Sequence, residues 1–305
     1  MPKLEDWSTP SLAGSHLGGA EPLVGEVDDN DPDFTRELTR VQWRAGDPID
    51  LYIVKPVGVK KPPVILYLYS YPSDTDRFLN PDWCRTVTRN GFAAVGFVSA
   101  LTGVRYRSRP MKQWFVSQLQ ESLSTSAHDV QLILDYMAVR GDVNMSRVGM
   151  FGEGSGATIA ILAAGVDPRI KTLDLLNPWG DWPDWIAKST RIPENERPAF
   201  LKPEFLAKVA PLDPVKWLPQ LTTQKIRLQE VMPIRLNPNE VKEKIVAAAP
   251  ANAQVVRYAT VSAFQQASTA GKALDWIKEQ VQAKPGQEYG AKGDSPKQGT
   301  RQQVR

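Results

Sequence analysis

Near the middle of the chain, Gly152-Glu153-Gly154-Ser155-Gly156 combine residue types that can do chemistry with glycines that can shape a tight corner. The Ser155 hydroxyl is a candidate nucleophile, and Glu153, two residues before it, a candidate base. A serine nucleophile needs a group to take its proton, normally a histidine oriented by a carboxylate. The chain has two histidines. His16 lies in an acidic stretch, and His128 lies inside a helical pattern beside Asp129, where a surface or core-edge role is expected. Cys84 is the single cysteine, so no internal disulfide and no Cys-based metal site is expected. No His/Asp/Glu cluster has metal-ligand spacing, and neither a metal nor a cofactor is expected.

The elements that must position these residues follow from hydrophobic patterning. With 42% hydrophobic residues in 305, the chain can bury a full core. Its net charge of +3 is too small to argue for nucleic acid or a membrane surface. Charge is concentrated at the ends: residues 1–34 carry eight acids and one lysine, and residues 284–305 carry five bases and two acids. Both ends are read as solvated, with 1–34 an irregular acidic arm and 283–305 a disordered basic tail. No basic region followed by an apolar run opens the sequence, and no apolar run approaches membrane-spanning length. A cytoplasmic protein is expected, or an exported one whose signal peptide has already been removed.

Between the ends, Thr35–Pro56 reads as a hairpin turning at Ala45-Gly46-Asp47. Pro63–Pro72 and Phe92–Ala100 are apolar runs of the kind buried on both faces of a sheet. Between them lies a helix with Asn80 as N-cap, Pro81 in the first position and Gly91 as stop. A long helix ends at Gly141, followed by a strand at 147–152, a small-residue helix from Ser155, and a strand at 170–178. The alternation argues for a mostly parallel sheet with helices on both faces. Residues 178–219, dense in Pro and Trp, break the rhythm as an inserted cap would. Strand, helix capped at Asn239, strand and helix then follow. The last helix places Ala270, Ala273, Leu274, Ile277 and Val281 on one face.

This arrangement, with "RGDVNMSRVGMFGEGSGA" at its centre, resembles the α/β-hydrolase fold, nearest to its dienelactone-hydrolase and prolyl-oligopeptidase-like branch. The likeness covers about residues 36–282 and implies an α/β-hydrolase-like domain at 35–282. In that family the corner is a nucleophile elbow, G-x-S-x-G directly after the strand. Here Gly152 and Gly156 take the outer glycine positions, and Gly154 stands where the resemblance implies serine. Ser155 is one position late, at the start of the helix, where its hydroxyl can satisfy a free backbone N–H. The family's histidine falls after the last strand, and Ser262 or Ala263 occupies that place. Its acid falls after the preceding strand, where Glu230 is the nearby acid and precedes the usual location. Three departures together imply a lost triad.

Tyr71 and the backbone near Ser73 correspond to the oxyanion side, with a Pro72 turn and helix capping by Asp74 or Asp76 as the plain alternative. Trp179, Trp182 and Trp185 recur every three residues, which suits cap packing or the floor of a ligand cleft. The sequence therefore points to a hydrolase-fold protein that binds a small ester- or amide-like ligand, or a protein, without catalysis. Two alternatives stand: a serine hydrolase using Ser155 with Glu153 or Glu230 as base, and an interaction protein acting through its charged termini. A homo-oligomer is compatible with each.

Overall fold

The computed structural model describes residues 5–17, 24–28, 31–101, 105, 115–222, 224–269, 272–282 and 303–304. Among these residues the strands are β1 (Val24–Asp28), β2 (Phe34–Val41), β3 (Ile49–Pro56), β4 (Pro63–Leu68), β5 (Ala93–Phe97), β6 (Asn144–Glu153), β7 (Ile170–Leu176), β8 (Lys225–Val231), β9 (Gln254–Tyr258) and β10 (Gln303–Val304). They form one sheet in the order β1-β2-β3-β5-β4-β6-β7-β8-β9-β10. The first three strands and the β3–β5 pair are antiparallel, and every pair from β5 to β10 is parallel. The chain leaves β4 toward β5 and then returns to place β6 on the other side of β4. The strand order therefore reverses at β4 and β6, and a crevice opens beyond their carboxyl ends in such sheets.

Helices cover both faces. The helices α1 (Pro81–Thr88) and α10 (Lys272–Gln282) pack on one face, where Trp83, Val87, Ile277 and Val281 meet Ile65, Tyr67 and Phe151. On the other face lie α2 (Leu119–Arg140), α3 (Ser155–Val166) and α8 (Asn239–Ala248). Their ends follow from local chemistry. The Asn80 side chain accepts the Asp82 and Trp83 N–H groups, and α2 stops at Gly141, whose φ of 68° suits glycine. Between β7 and β8 the inserted segment folds as α4 (Trp182–Lys188), α5 (Arg197–Phe200), α6 (Pro203–Val209) and α7 (Pro214–Trp217), each with proline in its first turn. Among the described residues no helix is long and apolar enough to cross a membrane.

Several local expectations are corrected. Residues 24–28, expected as part of an irregular arm, form β1 against β2, with Val24 opposite Arg40 and Asp28 opposite Arg36. Five residues of mixed polarity carry no usable period, and the partner strand decides their conformation. Residues 5–12, expected as solvated, are tied to α2: Gln131 Nε2 donates to the Pro10 carbonyl at 2.8 Å, and the Leu12 N–H donates to Gln131 Oε1 at 3.3 Å. Residues 262–267, expected as the connection between the last strand and the last helix, form with their neighbours a separate helix, α9 (Val261–Thr269), with the Thr260 hydroxyl accepting the Ala263 N–H. Asn239 is the first helical residue of α8, and Pro238 takes the cap position without a side-chain bond. Asp74 caps no helix; its carboxylate accepts the Ser99 N–H at 3.0 Å. Ala270 and the tail, apart from Gln303–Val304, lie outside the described residues.

Candidate active site

The elbow is built where β6 meets α3. Gly154 sits between them with φ 55° and ψ −117°, a positive-φ conformation that L side chains seldom adopt. Its flanking glycines let the helix lie close to the sheet. A Cβ on Gly152 would fall 2.5 Å from Ala157 Cα, and one on Gly156 would fall 2.0 Å from the Leu68 carbonyl oxygen. The tip is closed from above. A Cβ on Gly154 would lie 2.5 Å from Ser70 Oγ, 2.9 Å from Ser70 Cβ and 3.1 Å from Trp179 Nε1. The Gly154 N–H donates to the Leu176 carbonyl at 2.9 Å, and the Thr158 hydroxyl donates to the Trp179 carbonyl at 2.7 Å, so the loop after β7 is held against the corner.

Ser155 opens α3 and is 2% exposed. Its hydroxyl accepts the Tyr71 backbone N–H at 2.9 Å, so the free N–H that it satisfies belongs to the loop after β4 rather than to its own helix. The Tyr71 carbonyl in turn accepts a hydrogen bond from the Arg191 guanidinium, which lies 5.2 Å from the Tyr71 ring centre and 5.8 Å from that of Trp179. Burial lowers the pKa of Arg191. Ser70 and Arg191 were not among the residues read from sequence. Ser70 adjoins Tyr71 and was within reach of the motif; Arg191 stands 120 positions from its partner and carries no local signal.

The other candidate residues are not gathered around Ser155. Glu153 ends β6 and is partly buried; burial raises its pKa, with Arg77 opposing. Glu230 lies in β8, fully buried, with neither carboxyl oxygen hydrogen-bonded. Burial pushes its pKa up to about 8, and the nearby Lys242 ammonium offsets this only in part. The Lys242 ammonium instead donates to the carbonyls of Val231, Met232 and Ile234 at 2.9–3.0 Å. Ser262 is exposed on α9, and Ala263 faces the core. His128 is fully buried in α2 rather than at the surface or core edge, held by Glu5 and Thr9. Trp179, Trp182 and Trp185 are at most 2% exposed. Trp179 stacks on Trp185 at 4.8 Å, with Trp182 edge-on to Trp185 at 5.8 Å, so the trio fills the interior of the inserted segment instead of flooring an open cleft.

The sheet order, the corner at β6 and the insertion after β7 define the α/β-hydrolase fold, and comparison with solved structures agrees. An acetyl xylan esterase from Paenibacillus sp. R4 is similar at TM-score 0.63 and 17% identity, over 85% of this chain and 89% of that one. Acetyl xylan esterase 1 from Thermoanaerobacterium sp. JW/SL YS485 is similar at TM-score 0.59 and 14% identity, over 86% and 89%. A cold-adapted esterase from an Arctic intertidal metagenomic library gives 0.56 and 14%, over 84% and 97%. No protein-family model matches the sequence, and no curated protein sequence is similar to it.

Proposed function

We propose that this protein uses the α/β-hydrolase fold for binding rather than catalysis, through a domain spanning about residues 35–282. The observation that carries the reading is the closed elbow tip: glycine at the nucleophile position, with Ser70 and Trp179 where a side chain would project. Acyl transfer needs a nucleophile beside a base, and a carbonyl carbon within about 3–3.5 Å of the attacking atom. Ser155 offers a buried oxygen that already accepts the Tyr71 N–H, and neither carboxyl oxygen of Glu230 is hydrogen-bonded to it or to any other group. The similar structures are named as esterases, which favours an ester- or amide-like small molecule as the ligand class.

The test is intact-mass analysis after incubation with a fluorophosphonate, with Ser155→Ala as control and folding verified by circular dichroism. The expected result is no adduct on the folded protein. A stoichiometric adduct that disappears in Ser155→Ala would replace this reading with a serine hydrolase working through Ser155.

A further inference from the structure

Beside the closed elbow, one guanidinium is held in place without a carboxylate. Arg191 lies in the inserted segment, in a turn between α4 and α5 that is anchored from both sides. The Arg191 N–H donates to Ser189 Oγ at 3.2 Å, and that hydroxyl donates to the Leu236 carbonyl, in the loop after β8, at 2.7 Å. Arg197 holds the same turn through the carbonyls of Ser189 and Ile192, each at 3.2 Å. From this turn the Arg191 side chain reaches the loops after β4 and β7. Its Nη2 donates to the Tyr71 carbonyl, and its guanidinium carbon lies 5.2 Å from the Tyr71 ring centre and 5.8 Å from that of Trp179. The group therefore stands over the carboxyl ends of the strands, where the sheet order reverses and ligands bind in such sheets.

Among the described residues no carboxylate pairs with Arg191, and Tyr71 is the one neighbour that favours its charge. An arginine carries five N–H donors. Here the Tyr71 carbonyl takes one of them, while Nε is buried with no hydrogen-bond partner. Guanidiniums sunk elsewhere in the protein meet carboxylates at two points: Asp174 takes Arg227 at 2.9 and 2.6 Å, and Glu5 takes Arg44 at 2.6 Å twice. Burial thus works against the charge on Arg191 with no acid to restore it, and its pKa falls below the ordinary value. If bracing the Tyr71 carbonyl were its whole task, a neutral donor would serve without a charge drawn out of water. The place is open to solvent on one side, since Arg191 and Tyr71 are only partly buried and Pro72, Ser73 and Thr190 are exposed.

We propose that Arg191 receives a carboxylate of the ligand, which is then an ester- or amide-like molecule bearing one free acid group. The ester or amide part rests on the binding function proposed above; the acid group rests on Arg191. A single guanidinium, with no lysine or second arginine among the described residues acting on it, matches one negative charge, whereas a phosphate dianion calls for further cations. The outer edge of the guanidinium, Nη1 with the second hydrogen of Nη2, presents parallel donors to the two oxygens of a planar carboxylate. The Tyr71 and Trp179 rings beside it suit a flat apolar group next to the acid. An N-acylamino acid combines these features in one small molecule: an amide, a carboxylate, and an acyl body that can be aromatic.

Hippurate, an aromatic amide with one carboxylate, is the probe, compared with its uncharged ethyl ester and with inorganic phosphate. Protein labelled with 15N-arginine is titrated with each while the Arg191 Nε–H signal, assigned by its loss in Arg191→Lys, is followed, and calorimetry gives the affinities. The expected result is a saturable shift of that signal with hippurate. Its affinity should exceed that of the ester and of phosphate by roughly ten- to a hundredfold, the worth of one charge-assisted pair. Arg191→Gln should lose the same factor, and Arg191→Lys, which keeps the charge but not the two-point edge, part of it. Should Arg191→Gln fail to fold, the wild-type signal and Arg191→Lys decide. Equal affinity for acid and ester, no saturable shift with hippurate, tighter binding of phosphate, or unchanged affinity in the variants would overturn the proposal. The binding function is judged separately: ethanol released from the ethyl ester by the wild type would replace it with catalysis, whatever the Arg191 signal does with hippurate.

Discussion

Placing serine at the elbow tip by Gly154→Ser is the most direct test of the closed corner. Two effects add. The new side chain must hold the positive φ of 55°, which for a non-glycine residue costs about 1–3 kcal/mol. Its Cβ must also displace Ser70 Oγ from 2.5 Å and press on Trp179 Nε1 at 3.1 Å, an overpacking that costs about 1–3 kcal/mol. The expected destabilisation is about 2–6 kcal/mol, a large share of the roughly 5–15 kcal/mol that holds a domain folded. Urea unfolding followed by tryptophan fluorescence would read it as a lower midpoint at unchanged slope. Adding Ser70→Gly removes the closest contacts and should recover about 1–2 kcal/mol, within the usual coupling of touching residues. The double variant should still hydrolyse no p-nitrophenyl ester if, as proposed, the fold serves binding and no base serves the tip. An unchanged midpoint in Gly154→Ser, or zero coupling with Ser70→Gly, would mean that the corner has room for a side chain and that the steric argument is wrong.

Two further outcomes are expected. Ser155→Ala leaves the Tyr71 N–H without its buried acceptor and should lower stability by about 1–3 kcal/mol in the same unfolding assay; Ser155→Cys, with a weaker acceptor, should lie between the two. Glu230 has its pKa raised by burial from 4.5 to about 8, so the folded state binds the extra proton and stability falls as pH rises between those values. Glu230→Gln should then be more stable than the wild type at pH 8 and close to it at pH 4.5, the gap growing by about 1.4 kcal/mol per pH unit; equal pH profiles for the two proteins would contradict the assignment.

Much of this protein was written in local sequence. The Asn80-Pro81 start and the Gly141 stop are decided by groups within one helical turn, and the apolar runs at 63–68 and 93–97 are decided by burial on both faces. The glycine at the elbow tip was legible too, because a sharp strand-to-helix corner demands positive φ at one place. What closes that tip was not, since Ser70 and Trp179 arrive from two other loops. The same limit explains α9, which starts on the Thr260 hydroxyl where loop-like composition hid it, and β1, whose conformation is set by β2. His128 shows the division most clearly. Its helical position was evident, but its partners Glu5 and Thr9 are 123 and 119 residues away, and pairing between buried charges leaves no periodicity. Short-range sterics and hydrogen bonding determined the elements and the corner. The closure of the corner and the anchoring of the N-terminal segment needed the tertiary structure, because both are made by side chains that only folding brings within bonding distance.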